Sequence, residues 1–172
     1  MKAIVYRWPD GGVSIVHPSQ SYLATLMARG MTEAEALAAV QAKVVPSDAT
    51  GVEIVEDSDI PGFDSVTGTL HHHEFRDALE KPSVGPPIVN MAKARKIHVR
   101  VIEDVKGREV SRLASEEARA RSAGRTVDAD KAASDRAVVE AIDLGAVNNQ
   151  ITNAATPEEL SAVWPAELRR RP

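Results

Sequence analysis

Residues 9–12 of this chain, Pro-Asp-Gly-Gly, separate two short runs of alternating apolar residues, 2–7 and 13–17. Asp10-Gly11-Gly12 accepts the positive φ that a tight reversal demands, so the two runs are expected to pair as an antiparallel hairpin. The next thirty residues supply helices to pack on that hairpin. Ser19 is a plausible N-cap for a short helix that turns Tyr22, Leu23, Leu26 and Met27 to one face and stops at Gly30. Thr32-Glu33-Ala34-Glu35 has the capping-box pattern and opens a second helix carrying Leu37 and Val40. After a turn at 46–51, residues 52–55 read as a third strand. Strand, strand, helix, helix, strand makes a compact α+β unit ending near Pro61.

The second half has another character. Asn90 is a reasonable N-cap for a long helix over 91–123, with Ala94, Ile97, Val101 and Val105 as its apolar stripe and an interruption expected at Gly107. Gly124 ends it. A second helix is expected from Asp128 to about Leu144 or beyond, carrying Ala132, Val138, Ala141 and Ile142, and the pair reads as an antiparallel hairpin. Thr156-Pro157-Glu158-Glu159 opens a short last helix: N-cap, proline at the first position and a capping glutamate. The segment between the halves is less regular. Phe63, Leu70, Phe75 and Leu79 are its apolar anchors, and 81–87 reads as a linker or arm rich in proline. The expected organisation is an α+β unit over 1–61, an irregular linker or arm over 62–90, a helical hairpin over 91–152, and a C-terminal helix with a basic tail over 153–172. The expected class is therefore α+β: a small N-terminal sheet with two short helices, a long antiparallel helical hairpin and a short C-terminal helix.

Composition narrows what such a chain can do. Of 172 residues, 26 are alanine and only 3% are aromatic, which favours helix but buries little area per residue. There is no cysteine, so thiolate chemistry is excluded. No run reaches the ~18 apolar residues of a membrane span, and the N-terminus lacks a signal pattern. Residues 1–90 carry 6 basic and 12 acidic side chains, whereas 91–172 carry 15 and 13. A nucleic-acid binder shows a clear basic excess, so that partner class is disfavoured.

Chemistry-bearing clusters are few. His71-His72-His73-Glu74 is the strongest metal candidate, since His71 and His73 share a face on a strand, but consecutive residues converge poorly and a solvated turn is the better reading. Lys93, Arg95, Lys96, His98 and Arg100 form a basic patch on the long helix, read first as a solvated face. Asp57, Asp59 and Asp64 lack the spacing of a calcium loop. No phosphate loop, nucleophile elbow or HExxH pattern is present, so no catalytic residue and no cofactor site is assigned. Trp8 and Trp164 read as core caps first and as interface anchors second. With Ile97, Val101 and Val105 they are the partner-binding candidates.

Three segments resemble a loose family of small tail-region proteins from phages and prophages of alphaproteobacteria. The first is Lys2-Ala-Ile-Val-Tyr-Arg with Asp10-Gly-Gly-Val-Ser-Ile-Val-His-Pro18, followed by Gly30-Met-Thr-Glu-Ala-Glu-Ala-Leu37. The second is Phe75-Arg-Asp-Ala-Leu79 with Ile88-Val-Asn-Met-Ala-Lys-Ala-Arg-Lys-Ile-His98. The third, Ile151-Thr-Asn-Ala-Ala-Thr-Pro-Glu-Glu-Leu160 with Trp164-Pro165, is similar to the C-terminal end of tail-fibre assembly and tail-chaperone proteins. The pattern has tryptophan where this chain has Leu79, and the triple histidine lies outside it. The resemblance implies a non-enzymatic protein, found in the virion tail or in the host cytoplasm during assembly. Its partners would be other tail proteins or copies of itself. The alternatives are an assembly chaperone absent from the mature virion and, in another class, a metal-binding protein or enzyme using His71 and His73.

Overall fold

The structure, a computed structural model, describes residues 1–61, 63–64, 69–70 and 73–168, with side chains over 1–61 and 75–168. The fold is α+β and divides into two compact units, Met1–Asn90 and Met91–Pro172. Among the described residues no helix is long and apolar enough to cross a membrane.

The first unit is built on a three-stranded antiparallel sheet. Strands β1 (Lys2–Arg7), β2 (Val13–Val16) and β3 (Thr50–Glu56) lie in the order β2-β1-β3. The expected hairpin forms: Arg7 faces Val13, the Asp10 carboxylate accepts from the Gly12 N–H at 2.9 Å, and the Trp8 N–H donates to the Gly12 carbonyl at 2.8 Å. Alternation in β1 does not become alternating exposure, because β1 is central and Ala3, Ile4, Val5 and Tyr6 are all buried. The β1–β3 register slips between Val5 and Arg7, so one extra β3 residue is accommodated there.

Helices α1 (Gln20–Ala28) and α2 (Glu33–Val44) cover one sheet face. Leu23, Leu26, Ala36, Leu37 and Val40 close on Ile4, with Val16 and Val52 beside them. The capping box predicted at Thr32 is present. Its hydroxyl accepts from the Glu35 N–H at 3.3 Å and its own N–H donates to the Glu35 carboxylate at 2.8 Å. That donation holds the Glu35 carboxyl below its ordinary value.

Glu53 pairs with Val5 in register and so lies on the face opposite Ile4 and Ile54. There it meets Lys81. Beyond β3 come the 3-10 turn Asp57–Asp59, the short pair β4 (Phe63–Asp64) and β5 (Thr69–Leu70), the 3-10 turn His73–Ala78, and the pair β6 (Leu79–Glu80) and β7 (Ile88–Val89). The loop between β6 and β7 is not a loose linker. Lys81 is buried, and its ammonium donates to Glu53 at 2.7 Å and to the Gly85 carbonyl at 2.6 Å. An ammonium removed from water needs these partners, and they fold the proline-rich loop around it. Asp57 is likewise buried; its carboxylate lies 3.3 Å from His17 Nδ1 and its N–H donates to the Met1 carbonyl, which joins the same end of all three strands.

The second unit is organised by α3 (Met91–Ser122), a helix of 32 residues and about 48 Å. It runs through Gly107 without a break, contrary to the expected interruption. One helical glycine costs only about 1 kcal/mol, and α3 has neighbours on both halves to offset it. Gly124 takes a φ of 72° and closes the helix. The Arg125 N–H returns to the Ala120 carbonyl and the Gly124 N–H to Arg121, the same left-handed cap that Gly30 makes after α1.

Helix α4 (Thr126–Glu140) returns along α3. The seam is thin: Leu113 and Ala120 are the buried residues on this half of α3, and Ala129, Ala132 and Val139 those of α4. Arg136 bridges to Glu117 across it at 3.1 Å. The second helix stops short of its expected end. Asp143 instead caps a new helix, α5 (Leu144–Asn153), accepting from the Gly145 and Ala146 N–H groups. Thr156 caps α6 (Pro157–Ala162) as predicted.

The stripe buried on α3 is Ala94, His98 and Ile102, one residue out of phase with the expected Ala94, Ile97 and Val101. Ile97, Val101 and Val105 are half-buried at its border. The shift arises because His98, counted as polar in the sequence, faces inward and donates through Nε2 to the Val163 carbonyl at 2.8 Å. It has company. Arg95 donates to the Ala154 carbonyl at 2.8 Å, and Lys106 donates to the Glu140 and Ile142 carbonyls at 3.0 Å each. Residues 95, 98 and 106 fall on one side of a 3.6-residue helix, and each closes the C-terminal end of a different helix: α5, α6 and α4.

Two outcomes are expected. His98→Leu strands the Val163 carbonyl and should lower stability by about 1–3 kcal/mol in chemical denaturation, while His98→Gln, which keeps a donor, should lose less. Glu53, depressed chiefly by the hydrogen bond from Lys81, contributes stability that is present above its ordinary value of 4.5 and lost as pH falls through its lower folded value. Glu53→Gln should therefore start less stable at neutral pH and show a shallower decline in unfolding midpoint below about pH 4.5.

Candidate partner-binding surfaces

Helix α4 ends at Glu140 and α5 starts at Leu144 under the Asp143 cap, so the chain bends between them. Val139 takes the α3 side of α4; its neighbour Val138 is turned away and is 53% exposed. On α5, Ile151 is buried while Ala146 stays exposed and Val147 half-exposed. The chain then returns through Val163-Trp164-Pro165. Together these segments form a groove of about 540 Å³ lined by Val138, Ala141, Val147 and Trp164, with Asp143 and Glu167 among its polar residues.

Trp164 is held from two sides. Its Nε1 donates to the Leu168 carbonyl at 2.9 Å, and its ring meets His98 edge-on with centroids 6.2 Å apart. The indole N–H is thus satisfied within the chain, and what remains for the groove is ring surface. Asp143 has two roles by position: it caps α5 and stands at the groove.

A second cleft, of about 470 Å³, lies between α3 and α4 and is lined by charge. Arg112 is bonded to Glu109 and Glu116, and these bonds raise its pKa, Glu109 contributing most. Arg125 lies 3.3 Å from Asp128 and Lys131 3.0 Å from Asp135. These are i,i+3 and i,i+4 pairs of the kind that solvated helix faces carry.

The sequence candidates fall in different places. Trp8 sits at the hairpin rim of the first unit, 36% exposed, with Nε1 donating to Ser14 Oγ at 2.7 Å and its ring edge-on to Tyr6 at 5.6 Å. Trp164 belongs to the groove of the second unit. Ile97, Val101 and Val105 flank the buried stripe of α3 and are absent from the groove lining. The basic patch does not stay together: Arg95 and His98 point inward as helix-end donors. His71 lies outside the described residues, and of His73 only the backbone, which starts the 3-10 turn, is described. Among the described residues no group of three potential ligands converges on a metal position. The groove is not legible in the sequence, because Val138 and Ala141 fall at the spacing of a core face. The Asp143-Leu-Gly-Ala pattern, with its capping aspartate, is the signal that α4 has already ended there.

Comparison of the chain with protein-family models, with curated proteins and with solved structures finds no match.

Helix α6 carries Trp164 to the groove, so its cap is a handle on that site. Thr156→Ala should cost about 1 kcal/mol of stability. In a Trp8→Phe background it should also move the Trp164 emission to longer wavelength, as the indole loses its fixed seat.

Proposed function

We propose that this protein is a non-enzymatic structural component associated with a phage tail or tail fibre, working through protein–protein contacts. The observation that carries the reading is the apolar groove at the α4–α5–α6 corner, where Val138, Ala141 and Trp164 present carbon surface on a scaffold of capped helices. Exposed apolar residues in a concavity give another chain carbon surface to pack against. The setting comes from the three-segment resemblance, which spans both units.

A second reading has one observation in its favour. The segment similar to tail-fibre assembly proteins, 151–160 with Trp164-Pro165, supplies α6 and the end of α5, and its Trp164 and Pro165 line the groove. On that reading the groove holds a fibre protein during assembly and releases it.

Quantitative mass spectrometry of purified virions of the encoding phage or prophage distinguishes the two. A fixed copy number matching the symmetry of the tail is the expected result. Detection in infected-cell lysate but not in virions would replace the structural role with the chaperone role. Absence from both virions and tail-protein complexes would remove the tail setting altogether.

A further inference from the structure

We infer that the groove between the α4–α5 bend and the segment after α6 receives an apolar segment flanked by lysine or arginine, contributed by a partner protein. The inference deepens the contact-protein reading and rests on it. Its basis is the composition of the groove compared with that of the α3–α4 cleft of the same unit. Among the described residues the groove is lined by eight apolar residues with two carboxylates, Asp143 and Glu167, one amide, Gln150, and no cation. The α3–α4 cleft is nearly as large, yet its arginines and lysine already face carboxylates of their own helices. The groove combines carbon surface with carboxylates that face no cation of the described lining, and Lys106, which reaches the back of the same bend, is engaged by the Glu140 and Ile142 carbonyls.

Each component has a physical reason to be available. Val138 is turned from the α3 seam because Val139 and Ala132 fill it. The Trp164 N–H is satisfied by Leu168, so the ring offers no polar atom that a partner must match. The Asp143 carboxylate is fixed in place by the two N–H groups it caps, so a cation can meet it without ordering a long side chain. A volume of about 540 Å³ falls within the ordinary range for side-chain or ligand pockets. Carbon surface supplies the affinity, and the carboxylates select against acidic segments.

The test uses the full chain with Trp8→Phe, which leaves Trp164 as the single indole of the two. The probe is a synthetic peptide of leucine and lysine at helical spacing; its leucine–glutamate counterpart is the control. The lysine peptide should shift Trp164 emission saturably. The glutamate peptide should bind at least roughly tenfold more weakly. Val138→Lys, at an exposed position that leaves the unfolding midpoint unchanged, should weaken the lysine peptide by roughly tenfold or more.

Failure of the lysine peptide to bind, equal binding of the glutamate peptide, or indifference to Val138→Lys would each overturn the inference. Two further outcomes overturn it in favour of another occupant. Self-association in sedimentation that Val138→Lys abolishes would make the occupant a second copy. Peptide binding that appears only after deletion of residues 169–172 would make it the chain's own basic end. None of these bears on whether the protein is found in virions, so the wider reading stands or falls separately.

Discussion

Helix C-terminal carbonyls that leave solvent must be paired, and in the second unit α3 pairs them. Arg95, His98 and Lys106 project from one side of this helix into the ends of α5, α6 and α4. Each bond places a cation or a ring N–H against the negative end of a helix, where the charge and the hydrogen bond act in the same direction. The three helices are short or thinly packed, so their positions depend on these donors. Without the polar side chains of α3, a seam of alanines would fix distance but little else.

The thinness is a consequence of composition. Ala94, Ala120, Ala129 and Ala132 let helices approach closely, yet each buries little apolar area, and at about 25 cal/mol per Å² the stabilisation is small. The first unit meets the same shortage differently. It puts Ile4, Leu23, Leu26, Leu37 and Val40 into one cluster under two capped helices, and uses the buried Lys81 ammonium to fold a proline-rich loop against Glu53. In both units directional polar contacts supply the specificity that a larger aromatic core would otherwise give.

The groove follows from the same shortage. Three helices tied to one spine by their C-terminal ends cannot bury every face, and the bend at Asp143 leaves Val138 and Ala141 on the outside. The residue that ends one helix and caps the next is thereby also a charged group at an apolar concavity. His98 links this surface to the interior, since it holds the Val163 carbonyl on one side and meets the Trp164 ring on the other. A contact at the groove is one side chain away from the contacts that position α6.

Local signals in the sequence determined the features that need only neighbouring residues. Asp10-Gly11-Gly12 set the hairpin, Thr32 and Thr156 set two helix starts, and Gly30 and Gly124 set two helix ends, because turns and caps are closed by atoms a few residues apart. The α+β class and the long helix pair were legible for the same reason. Tertiary structure decided what faces what. The exposed side of α4 at Val138, the inward turn of Arg95 and His98, and the burial of Lys81 were hidden, because a polar side chain is core or surface according to whether a distant carbonyl or carboxylate awaits it. Periodicity ranks residues by hydropathy alone. It therefore placed the α3 stripe one residue away from the histidine on which the packing turns.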